Sequence, residues 1–298
     1  MLNRRHMLKS TLLTGTTALM GGMLGTRVAA SEQKTSPTGA PWATNLGWHL
    51  GSMLYTFYQF TFEEAVQKMA SLGMRVACGF GGQRITKGRD DVMNFNLNKE
   101  QRYLVRSILA DNDVAMVCYG GVDVTPQSIE FALDMGVGTL LTEPVLDTLP
   151  EVDKLANEYK INVALHNHPK PSHLWNYHTT LEQIKDLSPR IGFCVDTGHF
   201  MRSGLSPLQA VKDLKGRIIE LHVKDLNNTE PGCHDVPWGT GVCDIAGILA
   251  ELRTQRFRGN FFVEYEHNMH DSVGEIAECV RFFNEQAHAL CLPEYDES

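Results

Sequence analysis

The chain has 298 residues, of which 43% are hydrophobic and 21% charged, with a formal net charge of −8. This is ordinary for a soluble globular protein and enough for one large core or two small ones. An acidic chain of this kind repels phosphate backbones and anionic lipid, so nucleic acid is excluded as an expected partner.

The first recognisable segment is N-terminal. NRRHMLKS (residues 3–10) precedes the mildly apolar run TLLTGTTALMGGMLGT (11–26) and then RVAAS, a small-residue cleavage site after Ala30. The pattern predicts a twin-arginine export signal over residues 1–30, with Arg4 and Arg5 as the pair and Met7, Leu8 and Lys9 completing it. Four glycines interrupt the run, which is too short and too polar for a stable membrane anchor. The expected location is therefore periplasmic or extracellular. Removing residues 1–30 takes away four basic residues and no acidic ones, leaving 23 against 35 and a formal charge of −12. Residues 31–45 are polar and rich in small side chains, and are expected to form a disordered leader.

From residue 46 onward, short apolar or β-branched runs alternate with amphipathic stretches. The runs are 48–56, 74–80, 113–119, 137–143, 161–167, 191–196, 217–222 and 260–266. Helix candidates lie at 61–73, 127–136, 151–160, 205–216, 243–256 and 272–290. Thr61 before FEEA is an N-cap signal, and Gly73, Gly136 and Gly216 are stop signals. Eight strands alternating with helices over this length predict an α/β fold, a closed (β/α)8 TIM barrel, as one catalytic domain over 46–298. An open Rossmann-like sheet is the lesser alternative, and no GxGxxG follows the first strand to support it. Of seven cysteines, Cys78, Cys118 and Cys194 sit in apolar runs as small core residues, while Cys233 and Cys243 flank a Gly- and Pro-rich loop and leave a bridge open.

In a barrel the functional groups lie at the C-terminal ends of the strands. Those ends carry Glu143 (strand four), His166, Asn167 and His168 (five), Asp196 and His199 (six), His222, Lys224 and Asp225 (seven), and Glu264 and Glu266 (eight). Each alone has a bland reading, as a hydrogen-bonded structural histidine, a helix cap or a turn carboxylate. Together they place several charges at one mouth, where burial without pairing would cost several kcal/mol each. Glu143, Asp196, His222 and Glu264 form a hard, oxygen-rich set suited to Mn²⁺, Mg²⁺ or Co²⁺.

The segments LTEPV (141–145), CVDTGHF (194–200), ELHVKD (220–225), PWGTGVCDIAGILAEL (237–252) and RGNFFVEYE (258–266) resemble the xylose isomerase-like TIM barrels, broadly the sugar phosphate isomerases/epimerases. That resemblance implies one divalent ion held by Glu143, Asp196, His222 and Glu264, with manganese foremost and magnesium, cobalt or zinc as alternatives. It implies that Glu143 and Glu264 are catalytic and relay protons, and that His199 binds substrate; Glu264 and Glu266 share a strand face, so either could be the eighth-strand ligand. Further substrate-binding candidates are His166, His168, Lys224, Tyr55 and Trp175; the HNHP segment departs from the ketose 3-epimerases, and the HVKD segment is similar to the dehydratase-like branch. The implied activity is sugar isomerisation or epimerisation through an enediolate, with a lyase acting on keto-sugars or 3-keto-glycosides as the alternative. A non-catalytic sugar-binding barrel and a phosphodiesterase like endonuclease IV are rivals of other classes, the latter opposed by the −12 balance. The expected partner is a small carbohydrate, and a homo-oligomer is left open.

Overall fold

The computed structural model describes residues 39–292. Eight parallel strands close into a barrel in sequential order: β1 (Trp48–Met53), β2 (Val76–Phe80), β3 (Ala115–Gly120), β4 (Thr139–Thr142), β5 (Asn162–His166), β6 (Ile191–Asp196), β7 (Ile218–Val223) and β8 (Gly259–Val263). The expected barrel is thus the observed fold, and each of the eight predicted runs overlaps a strand. The helices are α1 (Phe62–Ser71), α2 (Lys99–Asp111), α3 (Pro126–Asp134), α4 (Leu149–Tyr159), α5 (Tyr177–Ile184), α6 (Thr197–Arg202), α7 (Pro207–Asp213), α8 (Ile245–Thr254) and α9 (Val273–Leu290). Helices α2, α5 and α6 were not among the candidates.

Local chemistry sets the helix ends. Thr61 Oγ1 accepts from the Glu64 N–H while the Glu64 carboxylate accepts from the Thr61 N–H, a capping box that closes the first turn of α1. Gly73, Gly136 and Gly216 take φ of 79°, 79° and 80°, a left-handed conformation that glycine alone adopts without strain. Between helices and barrel lies the larger apolar layer, with Trp48, Phe62, Phe131, Phe200 and Phe283 all buried. The barrel interior is a separate cluster of mostly smaller side chains, Met53, Cys78, Cys118, Leu141, Ala164, Cys194 and Phe262.

Strand register sets the heights of the site residues. Asp196 pairs with His222 across β6 and β7, and His222 with Phe262 across β7 and β8, so Glu264 stands two residues further toward the rim. His166 pairs with Cys194, one step below Asp196 on the same face of the pleat. After β7 the chain makes a two-stranded antiparallel hairpin, Asp225–Leu226 with Asp235–Val236. The buried Asp225 carboxylate accepts N–H bonds from Gly239 and Gly241 at 2.9 Å each and from Cys243 at 2.9 Å, which ties the following loop to the barrel.

Three expectations need correction or placement. The leader expected over 31–45 does not extend that far, because Pro41–Leu46 forms a 3₁₀ helix whose Ala43 is buried and whose Trp42 packs on the His288 ring. Cys233 and Cys243 are both free thiols, and Cys243 is instead part of the apolar core. The twin-arginine signal expected over 1–30 lies outside the described residues, among which no helix is long and apolar enough to cross a membrane.

Candidate active site and metal centre

The ends of β5 to β8 bring His166, Asp196, His222 and Glu264 together, all buried and each offering a ligand atom within 4.8 Å of the others. His166 Nε2 stands 3.7 Å from Asp196 Oδ2 and 4.0 Å from Glu264 Oε2. His222 Nδ1 donates to Glu264 Oε2 at 2.8 Å, which leaves its Nε2 lone pair available. Burial lowers the His222 pKa, favouring this neutral ring. Among the described residues neither His166 Nε2 nor His222 Nε2 has a hydrogen-bond partner, although both atoms are fully buried.

Lys224 stands in the same space. Its side chain is completely buried, with Nζ 2.7 Å from Asp196 Oδ2, 2.5 Å from Glu264 Oε2 and 3.2 Å from Glu266 Oε1. Burial alone would depress the ammonium pKa, but Asp196, Glu264 and Glu266 outweigh it and hold it well above its ordinary value. Lys224 was expected to face substrate; these carboxylates claim it as an internal counter-ion. Gly198 of the DTGH motif makes room for it, since a Cβ there would lie 2.7 Å from Lys224 Cβ.

Glu143 takes a different position from the one expected. It follows β4 and turns to His168 Nδ1 and to the Ser172 hydroxyl, which donates to Oε2 at 2.9 Å. Both its oxygens are satisfied there, so the four-residue set contains His166 where Glu143 was expected. Glu143, His166 and His168 make a second close group, so His166 belongs to both. Of the eighth-strand pair, Glu264 lies in the buried set, whereas Glu266 is one-third exposed at its edge.

His199 projects from α6, whose N-cap is Asp196: Asp196 Oδ1 accepts from the His199 N–H at 2.7 Å. Asn167 fastens the same corner, accepting from the Asp196 N–H at 2.9 Å and donating to its carbonyl at 3.1 Å. Arg202 Nη1 lies 3.2 Å from His199 Nδ1, and Arg202 Nη2 donates to Asp235 Oδ1 at 3.1 Å. Guanidinium has no acceptor, so His199 Nδ1 must accept and Nε2 must carry the proton. Burial pushes the His199 pKa well below its ordinary range, so the ring is neutral. Arg202 and Asp235 were missed in the sequence. Arg202 was findable, one turn after His199 on a helix; Asp235 arrives only through the hairpin.

A cavity of about 360 Å³ opens beside this cluster, lined among others by Phe95, Asp123, Thr142, Glu143, His166 and His168. Tyr55 and Trp175, expected to bind substrate, are not part of its wall. Tyr55 stacks on Tyr58 at 5.1 Å, and its phenol is raised by burial and by Glu266. Trp175 is half-buried beneath the Lys170 ammonium, 4.0 Å from the ring centroid.

The xylose isomerase-like TIM barrel family matches residues 53–286. An inosose dehydratase of Bacillus anthracis is 26% identical over 144 residues, covering 42% of this chain and 47% of that protein, so the match spans about half of the relative. A solved structure from Parabacteroides distasonis is 28% identical with a TM-score of 0.65, covering 80% of this chain and 99% of that one. A xylose isomerase-like TIM barrel protein from Mycobacterium smegmatis, solved in complex with magnesium, shares the fold at a TM-score of 0.63 and 14% identity, covering 78% and 89%.

Proposed function

The chain belongs to the xylose isomerase-like TIM barrel family, and on that premise we propose that it is a divalent-metal-dependent lyase acting on a polyhydroxylated ketone, a keto-sugar or keto-cyclitol. One observation carries this reading: two adjacent imidazoles, His168 and His199, stand with ring centroids 5.0 Å apart, His168 held by the Glu143 carboxylate and His199 by the Arg202 guanidinium. His168 turns Nδ1 to the Glu143 carboxylate, which leaves Nε2 as a proton acceptor. His199 is fixed by Arg202 as an Nε2–H donor.

Elimination needs one base for the proton α to the carbonyl and one acid for the departing β-hydroxyl. His168 takes the first role and, as the imidazolium so formed, returns that proton to the leaving hydroxyl, which departs as water; the neutral His199 holds that hydroxyl through its Nε2–H, and Glu143 orients His168. Epimerisation through two glutamates asks for free carboxylates on opposite faces. Here Glu143 is occupied by His168 and Ser172, and Glu264 by His222 and Lys224.

His166, Asp196, His222 and Glu264 suit a divalent ion, as their two orphaned imidazole nitrogens indicate. Charge permits it as well, because three carboxylates, Asp196, Glu264 and Glu266, face a single ammonium. Such an ion, with manganese, magnesium and zinc as the candidates, would polarise the substrate carbonyl and stabilise the enolate. Relatives named as an inosose dehydratase and as a magnesium complex support this reading.

The test is a product screen with a keto-inositol and 3-keto-glycosides, with and without chelator, run in D₂O. Loss of water with formation of an enone supports the lyase. Solvent deuterium in an undehydrated epimer refutes it. His168→Gln should lower kcat by roughly 10²-fold or more at unchanged metal content. Export through residues 1–30 belongs to the same proposal, and N-terminal sequencing of protein recovered from the periplasm tests it.

A further inference from the structure

Below the rim, three acidic side chains meet inside the barrel: Cys78 of β2, Cys118 of β3 and Glu220 of β7. All three are fully buried, and their sulfur and oxygen atoms lie within 4.8 Å of one another. The Cys118 thiol donates to Glu220 Oε1 at 2.9 Å, and Glu220 Oε2 has no partner among the described residues. The same interior cluster holds Met53, Leu141, Ala164, Cys194 and Phe262, of which only the Cys194 thiol carries a weak donor. An interior carboxyl with one weak thiol donor and one orphaned oxygen is expensive to keep, and sterically a leucine or methionine would serve the barrel as well.

We propose that Cys78, Cys118 and Glu220 hold a thiophilic divalent cation of the zinc type, separate from the rim site. Two sulfurs and one oxygen are a ligand set that zinc accepts, at about 2.3 Å to sulfur and 2.0–2.2 Å to oxygen. Ligand atoms sharing such an ion are at most about 4.6 Å apart by those bond lengths, so small shifts close the set. The rim set contains no sulfur, so the two sites differ in hardness and sort ions by type. Cys194 forms a third close group with His166 and His222, sharing both imidazoles with the rim. Binding exchanges the protons of the two thiols, and any on the Glu220 carboxyl, for the ion; the protons leave to solvent.

Cobalt titration of the purified full chain, stripped of metal, tests this. Two cobalt ions per chain are expected, with a thiolate-to-cobalt charge-transfer band belonging to one of them. Cys118→Ser should lose that band and one ion. Glu220→Gln keeps both thiols and covers the case in which Cys118→Ser does not fold; it should weaken the band-forming ion at least tenfold. His222→Gln should lose the rim ion and keep the band. Absence of the band at saturating cobalt, or its survival in both Cys118→Ser and Glu220→Gln, overturns the proposal. The readout is spectroscopic, so it is independent of whether the lyase reading holds.

Discussion

Lys224→Met is the most direct probe of how the site is held together. The wild-type ammonium touches Asp196 at 2.7 Å, Glu264 at 2.5 Å and Glu266 at 3.2 Å, and it is wholly buried. Methionine preserves most of the volume, so the cavity term is small and the lost charge dominates. Removing one member of a buried ion pair typically costs about 3–5 kcal/mol, because the remaining charges keep their desolvation penalty without their attraction. At 2–4 °C per kcal/mol for a domain of this size, the melting temperature should fall by roughly 6–20 °C. Thermal unfolding of both proteins in chelator near pH 7 measures it. Adding Mn²⁺ should raise the variant's melting temperature more than the wild type's, since the carboxylates then lack their internal cation. Equal melting of variant and wild type in chelator would show that the carboxylates do not depend on Lys224.

Three further outcomes are expected. Burial lifts the Glu220 carboxyl from an ordinary 4.5 to about 7. A group that holds its proton more tightly when folded stabilises fully below its unfolded value and loses that contribution as pH rises through the folded one. Chelated protein should therefore lose roughly 3 kcal/mol between pH 4.5 and 7, and chemical denaturation of Glu220→Gln should show that part of the slope removed. Arg202→Met should lower kcat by about 10- to 100-fold with little change in KM, and ¹⁵N NMR of the His199 ring should show the fixed Nε2–H tautomer replaced by a mixture. An unchanged tautomer would contradict the role given to Arg202. Gly198→Ala places a Cβ 2.7 Å from Lys224 Cβ and 3.0 Å from its Cδ. It should destabilise by about 1–3 kcal/mol in denaturant titration.

Much of the scaffold could be read along the chain, because what makes a strand or a helix is local. The run IGFCVD is buried at every position, as a strand covered on both faces must be, and Thr61 with Glu64 announces the start of α1 through its own side chains. Helix α6 escaped notice because its six residues are too few for a periodic pattern and its cap, Asp196, belongs to the preceding strand. The strand-end positions of His166, Asp196, His199, His222 and Glu264 followed from counting along the same runs.

Partnership was a different matter. Glu143 and His166 end neighbouring strands, and no spacing in the chain tells which enters the buried set; Ser172 and His168, brought by the loop after β5, draw Glu143 aside. Lys224 read as a rim residue, and only barrel closure sets three carboxylates around its Nζ. Asp235 reaches Arg202 through a hairpin 33 residues away, and Cys118 meets Glu220 across 102. The amino-acid sequence by itself determined which segments are strands and which residues stand at their C-terminal ends, since period and capping act over a few residues. Tertiary structure alone decided which charges neutralise which, because those distances exist only once eight strands share one register around a common axis.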